Sequence, residues 1–251
     1  MQMKYLNPYR LTSRGFTLIE MAIVLMIVGL LLGGILVPLN AQMDQRNNSD
    51  TQKSLSEIRD ALTGYVLANG YLPCPANPTD VTGVTSTAGI ARTPPCTGAS
   101  STGVLPWATL GVNETDAWGN RYTYRVTSDY ADAISNPTYG GCTPSPIPTQ
   151  ASFGLCSVGN LNVWSSAAKL TSVATNVPAV VISHGKNGAG AYTPQGVQLA
   201  RGSSADELEN SDGSADNDYV SHLPTPTFDD LMIWISPSIL NSRMVSAGKL
   251  P

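Results

Sequence analysis

Arg14-Gly15-Phe16-Thr17-Leu18-Ile19-Glu20 opens an apolar run that continues from Met21 to Val37. The 22 residues from Phe16 to Val37 contain a single charge. At about 1.5 Å rise per residue, a helix of that length matches the hydrocarbon core of a bilayer. The segment can therefore span a membrane. Glu20 is the oddity, because a carboxylate at full depth costs roughly 2.5–3.5 kcal/mol. A group that costly is expected to have a partner.

The same residues resemble the processing site of type IV pilins and of the pseudopilins of type II secretion systems. The resemblance implies that a prepilin peptidase cuts between Gly15 and Phe16 and methylates the new amino terminus. It also implies that Glu20 pairs with the N-terminal amine of a neighbouring subunit. That pairing would neutralise two charges that are costly when desolvated alone, and so would fix the axial register between subunits. An ordinary secretory signal would instead be cut after the apolar run, near Ala41. The run is longer than the usual 7–15 residues of such a signal, and Glu20 would interrupt it without purpose.

Basic residues precede the run and are scarce just after it, which places the N-terminus in the cytoplasm and the remainder outside the inner membrane. The expected organisation is a cytoplasmic leader over 1–15, a transmembrane and assembly helix over 16–38, the soluble half of that helix over 39–70, and a periplasmic or extracellular β-rich head over 71–251. Gly29, Gly33 and Gly34 lie within the run and Pro38 at its end. Small residues permit close helix packing, and proline is a usual cause of a kink.

The chain has 251 residues, 42% apolar and 13% charged, enough for one sizeable core besides the anchor. Its net charge is −4, and residues 1–15 carry Lys4, Arg10 and Arg14 with no acid, so their removal leaves 236 residues at −7. Nucleic-acid binding relies on Lys and Arg neutralising phosphates, so no nucleic-acid partner is expected. Cys74, Cys96, Cys142 and Cys156 are even in number and form no CxxC pair, in keeping with an oxidising compartment. Four cysteines allow three pairings. The local ones, Cys74 with Cys96 and Cys142 with Cys156, are expected because each brackets a turn-rich loop.

Beyond a polar stretch from Asn40 to Ser54, apolar residues recur helically at Leu55, Ile58, Leu62, Tyr65 and Val66, and Gly70 ends the pattern. Ser54 with Glu57 can start a new helix as a capping box, but the resemblance favours one helix continuing to about Asn69. Residues 71–106 read as loop, Asp116 to Asn120 as a turn, and Arg121–Val126, Leu161–Trp164, Ala179–Ser183 and Leu231–Ile235 as strands. Pro237 opens a short helix to about Ser246. Asp116-Ala117-Trp118-Gly119-Asn120-Arg121-Tyr122 is similar to an Asp-x-Trp-Gly-Asn-x-Tyr stretch of type II secretion major pseudopilins, which extends the resemblance beyond the leader. The expected fold is α+β, a long N-terminal helix packed on an antiparallel meander.

No GxSxG, HExxH or phosphate-loop pattern occurs, and the two histidines, His184 and His222, form no catalytic set, so no enzyme is expected. The acidic loop is richer. Asp206, Glu207, Glu209, Asp212, Asp216 and Asp218 place six carboxylates in 13 residues. Calcium takes six to eight oxygens, so the loop can fold around one ion, with Asp212, Asp216 and Asp218 as candidate ligands, or else remain a solvated acidic loop. The spacing is not that of an EF-hand. By resemblance the function is a structural subunit that joins a filament with other pilin or pseudopilin subunits, and its size and loops favour a minor rather than a major one. The alternative is a filament-mounted adhesin or substrate-binding module using the cysteine-stapled loops.

Overall fold

The computed structural model describes residues 15–213 and 216–251, apart from the side chains of 32–40. The expected leader up to Arg14 lies outside the described residues, and so do the surroundings of Gly33, Gly34 and Pro38. The backbone is helical from Leu18 to Asn69 without a break, the element α1. The Ser54–Glu57 pair therefore falls inside a helix rather than at a start. Two compact units divide the chain, with the boundary between Gln45 and Arg46.

In the first unit the described apolar side chains are exposed all around the helix. Ile19, Ile23, Leu25, Ile27, Leu30 and Leu31 are each at least half exposed. Among the described residues, however, no helix is long and apolar enough to cross a membrane.

The second unit holds the core. α1 ends because Gly70 takes φ +78°, left-handed, while its N–H closes on the Val66 carbonyl at 2.7 Å. A Cβ there would stand 2.0 Å from the Gln150 carbonyl oxygen, so only glycine fits. The elements after it are β1 (Thr102–Val104), α2 (Trp107–Leu110), β2 (Thr123–Val126), β3 (Leu161–Trp164), β4 (Ser172–Val177), β5 (Ala179–Ser183), α3 (Ala205–Ser211), β6 (Asp218–Val220), β7 (Leu231–Trp234) and α4 (Pro237–Ser246).

The strands form two sheets. The first is antiparallel in the order β1-β2-β5-β7; the second runs β4-β3-β6, with β3 and β6 parallel. The expectation of a single antiparallel meander is corrected on this point. The physical cause is visible in β5, all five of whose residues are buried. A strand apolar on both faces needs cover on both. Leu55, Ile58, Leu62 and Val66 of α1 cover one face, packing with Tyr124, Val126, Ala179 and Val181. The second sheet covers the other through Leu161, Val163 and Tyr219 against Val180 and Ile182. Each fully buried aliphatic side chain contributes roughly 1.5–3 kcal/mol.

Three strands and two helices, α3 and the four-residue α2, were not anticipated. β1 lies in the segment read as loop, β4 buries only Val177, and β6 has three residues, so none shows a periodic signal. α3 did carry one. Ser204 caps it by accepting a hydrogen bond from the Glu207 N–H at 3.3 Å, the Ser-x-x-Glu pattern of a helix start.

Candidate functional site

At the head of α1, Thr17 and Glu20 bond reciprocally. Glu20 Oε2 accepts from the Thr17 N–H at 2.8 Å and from Thr17 Oγ1 at 2.9 Å, while the Glu20 N–H donates to Thr17 Oγ1 at 3.3 Å. This is a capping box, which satisfies backbone donors that a helix start leaves open. Thr17 was missed in the sequence, although Thr-x-x-Glu is the same signal as at α3. Among the described residues, the second carboxylate oxygen of Glu20 has no partner. Phe16, just before the cap, is 82% exposed. Among the described residues, a Cβ on Gly15 would meet no atom within 4 Å, so no contact there demands glycine.

The acidic loop is organised around a cation supplied by the chain itself. Lys169 Nζ lies 2.6 Å from Glu209 Oε1, 2.9 Å from Asp216 Oδ2 and 2.8 Å from Asp218 Oδ2. These three acids each offer an oxygen within 4.8 Å of the others'. Asp212, the third ligand named from the sequence, is outside the group, and Glu209 from α3 takes its place. Asp218 also accepts from Asn162 Nδ2 at 3.1 Å and Trp164 Nε1 at 2.9 Å. Burial disfavours its charge, but the hydrogen bonds from Lys169, Trp164 and Asn162 outweigh that and hold the carboxyl below its ordinary value. Hydrogen bonds to Asp216, Asp218 and Glu209 push the Lys169 ammonium up. Calcium requires several oxygen ligands around the ion, and an ammonium already stands among these. The Lys169 ammonium thus stands where an ion held by Glu209, Asp216 and Asp218 would sit. No local pattern could have revealed the lysine, which lies 40 residues before Glu209.

Asp212 is left with its neighbours' repulsion. Burial first, then the charges of Asp216 and Glu209, push it up to about 6, against the pull of Arg201 and Lys169. A carboxyl raised above its unfolded value binds a proton more readily in the folded state. Stability therefore falls as pH rises from about 4 through about 6. Asp212→Asn is expected to raise the melting temperature by a few degrees at pH 7.5, with the gain shrinking as pH falls to 4. A gain that does not change with pH, measured by thermal melts across that range, would count against this account.

The structure joins Cys74 to Cys96 and Cys142 to Cys156, with Cα separations of 5.6 and 5.9 Å. The first bridge is buried, with the Cys96 N–H donating to the Ala131 carbonyl at 3.3 Å, and the second lies nearer the surface. The Asp116 turn ties three elements together. Asp116 Oδ1 accepts from the Trp118 and Asn120 N–H groups, each at 3.0 Å, and Oδ2 from Ser183 Oγ of β5 at 2.7 Å. The Ala117 N–H donates to Thr51 Oγ1 of α1 at 3.3 Å. Its residues are structural fasteners. His184 is buried, with Nε2 2.8 Å from Thr123 Oγ1. Its other nitrogen stands 3.7 Å from Asp230 Oδ1, beyond hydrogen-bond length, so Thr123, His184 and Asp230 are not coupled as a hydrolytic triad.

Fold and site together define a class: an α+β head carried on a long N-terminal helix whose first turns are apolar on every side and begin with a capped glutamate. Residues 10–36 match the family model of the prokaryotic N-terminal methylation motif, the prepilin-type cleavage and methylation site of pilins and pseudopilins. The match covers about a tenth of the chain. It supports a type IV pilin-like or pseudopilin subunit, processed by prepilin peptidase and assembled with other such subunits. No curated protein and no solved structure matches the chain.

Proposed function

We infer that this protein is a minor structural subunit of a type IV pilus-like or type II secretion pseudopilus filament. It waits in the bacterial inner membrane, anchored by residues 16–38 with its head in the periplasm, until cleavage after Gly15 and methylation of Phe16. It then enters the filament through the same helix. The observation that carries the reading is the methylation motif standing on a helix whose apolar residues are exposed on every side. An exposed apolar surface of that extent needs a covering, lipid before assembly and neighbouring helices after it.

Glu20 acts in two ways in this scheme. One carboxylate oxygen caps its own helix, and the other is free to meet the cationic amine of a neighbour's Phe16. In a low-dielectric bundle either charge alone is costly, so the paired register is selected. Glu20→Ala is expected to be processed normally and to be recovered in sheared filaments at a tenth of the wild-type level or less. Recovery at the wild-type level would defeat the pairing role. Failure of processing in this variant would move Glu20 from assembly to peptidase recognition.

A further inference from the structure

Two sheets have four outer strands, and an open outer strand invites pairing with other chains. Three of the four are blunted. The edge of β1 is covered by Ala76, whose N–H donates to the Val104 carbonyl at 2.9 Å and whose carbonyl accepts from the Val104 N–H at 3.3 Å. The edge of β6 is closed by the Asn210 side chain. Its Nδ2 donates to the Val220 carbonyl at 2.9 Å and its Oδ1 accepts from the Val220 N–H at 2.8 Å, as a neighbouring strand would. β4 shifts register twice against β3 and holds Asn176 at φ +56°.

β7 is different. It pairs with β5 from Leu231 to Trp234 without irregularity. The Ile235 N–H donates to the Ala179 carbonyl at 3.0 Å, which fixes the alternation along the strand. Leu231 and Ile233 turn their backbone groups toward β5, and Met232 and Trp234 turn theirs outward. Among the described residues nothing bonds to those outward groups.

A groove runs beside this edge, wholly within the second unit. One part, about 560 Å³, lies between Arg59 and Thr63 of α1, the edge of β7, and Ile239 and Arg243 of α4. A second part of about 320 Å³ continues past Arg59 and Met232 to Leu223. Its charged lining is uneven. Arg59, common to both parts, reaches only Ser56 Oγ at 3.2 Å. The side chains of Arg243 and Asp60 have no hydrogen-bond or ion-pair partner among the described residues. Asp230 is buried and bonded by Asn210, and His222 is held 3.1 Å from Asp206. Two guanidinium groups thus face the groove against one unpaired carboxylate, on a chain that is acidic overall.

The geometry points to a docking site for an extended, acidic segment of another polypeptide, which adds to β7 as a fifth strand and sets carboxylates against Arg59 and Arg243. The backbone ladder at Met232 and Trp234 supplies affinity, and the arginines select for charge. The chain's own residues 1–14 have the wrong sign for this groove, with three basic residues and no acid.

The test uses the full chain in detergent micelles and two seven-residue peptides that alternate valine with glutamate or valine with lysine. Hydrogen exchange at the Met232 and Trp234 amides is the readout. The glutamate peptide at millimolar concentration is expected to slow both amides at least tenfold, the lysine peptide is not, and Arg59→Glu with Arg243→Glu should reverse the preference. No protection by the glutamate peptide, or equal protection by both, overturns the proposal. So does protection that grows with the concentration of the chain alone, which would make the occupant a second copy. Both arginines are exposed and the two-peptide comparison needs no variant, so misfolding cannot mask the result.

Discussion

Gly15→Val is expected to stop maturation, leaving a membrane-bound precursor that still carries residues 1–15. Wild-type protein should instead begin at a methylated Phe16, a difference that mass spectrometry of the intact chain reads directly. Among the described residues a side chain at position 15 has open space, in contrast to Gly70, where a Cβ would strike the Gln150 carbonyl. Open space alone assigns no role, since Gly29 and Gly64 have it too. Gly15 is singled out by its place in the methylation motif matched over residues 10–36, where a peptidase must approach the backbone closely and any Cβ intrudes. The variant should therefore fold with an unchanged helix content and differ only in processing. Cleavage of the variant at the wild-type rate, or a wild-type chain that starts at Met1 or Gln42, overturns the assignment.

The second large effect is expected at Lys169. Lys169→Met keeps the aliphatic stem and removes the ammonium, leaving Glu209, Asp216 and Asp218 with oxygens within 4.8 Å of one another and nothing between them. Removing one partner of a fully buried pair costs about 3–5 kcal/mol. Here the side chains are 16–41% exposed, and water screens part of that, so about 1–3 kcal/mol is expected. For a head of this size that lowers the melting temperature by roughly 3–10 °C. Vacating the position should also admit a divalent ion: millimolar calcium is expected to recover stability in the variant and to leave the wild type unchanged. A wild-type chain that melts higher in calcium than in chelator would show that the lysine does not fill the site. A variant as stable as the wild type would show that the carboxylates do not depend on it.

The first and last helices were legible in the sequence, while the short α2 and α3 were not read from it. The spacing of Leu55, Ile58, Leu62 and Val66, with Gly70 after them and Pro237 before the last helix, speaks through neighbours three or four residues apart. β2, β3, β5 and β7 were legible because their apolar residues alternate or run together. The second sheet was not, since β4 is mostly exposed and β6 pairs in parallel with a strand 56 residues earlier. Nothing local encodes that pairing. The same holds for the carboxylates. Their density in the loop was plain, but which of them meet depends on α3 swinging Glu209 inward and on a lysine from the turn after β3. At the helix start the reverse applies: Thr17 was within reach of the rule used elsewhere in the chain.

That cap lies wholly on the mature side of the Gly15–Phe16 bond. Among the described residues, the side-chain hydrogen bonds that cap α1 join Thr17 to Glu20, both downstream of that bond. Under the proposed processing, cleavage would exchange one amide for one ammonium a single residue ahead of this cap and leave the cap's own partners in place. In that scheme readiness to assemble is recorded as a proton-bearing group set beside a helix start that already has its hydrogen bonds.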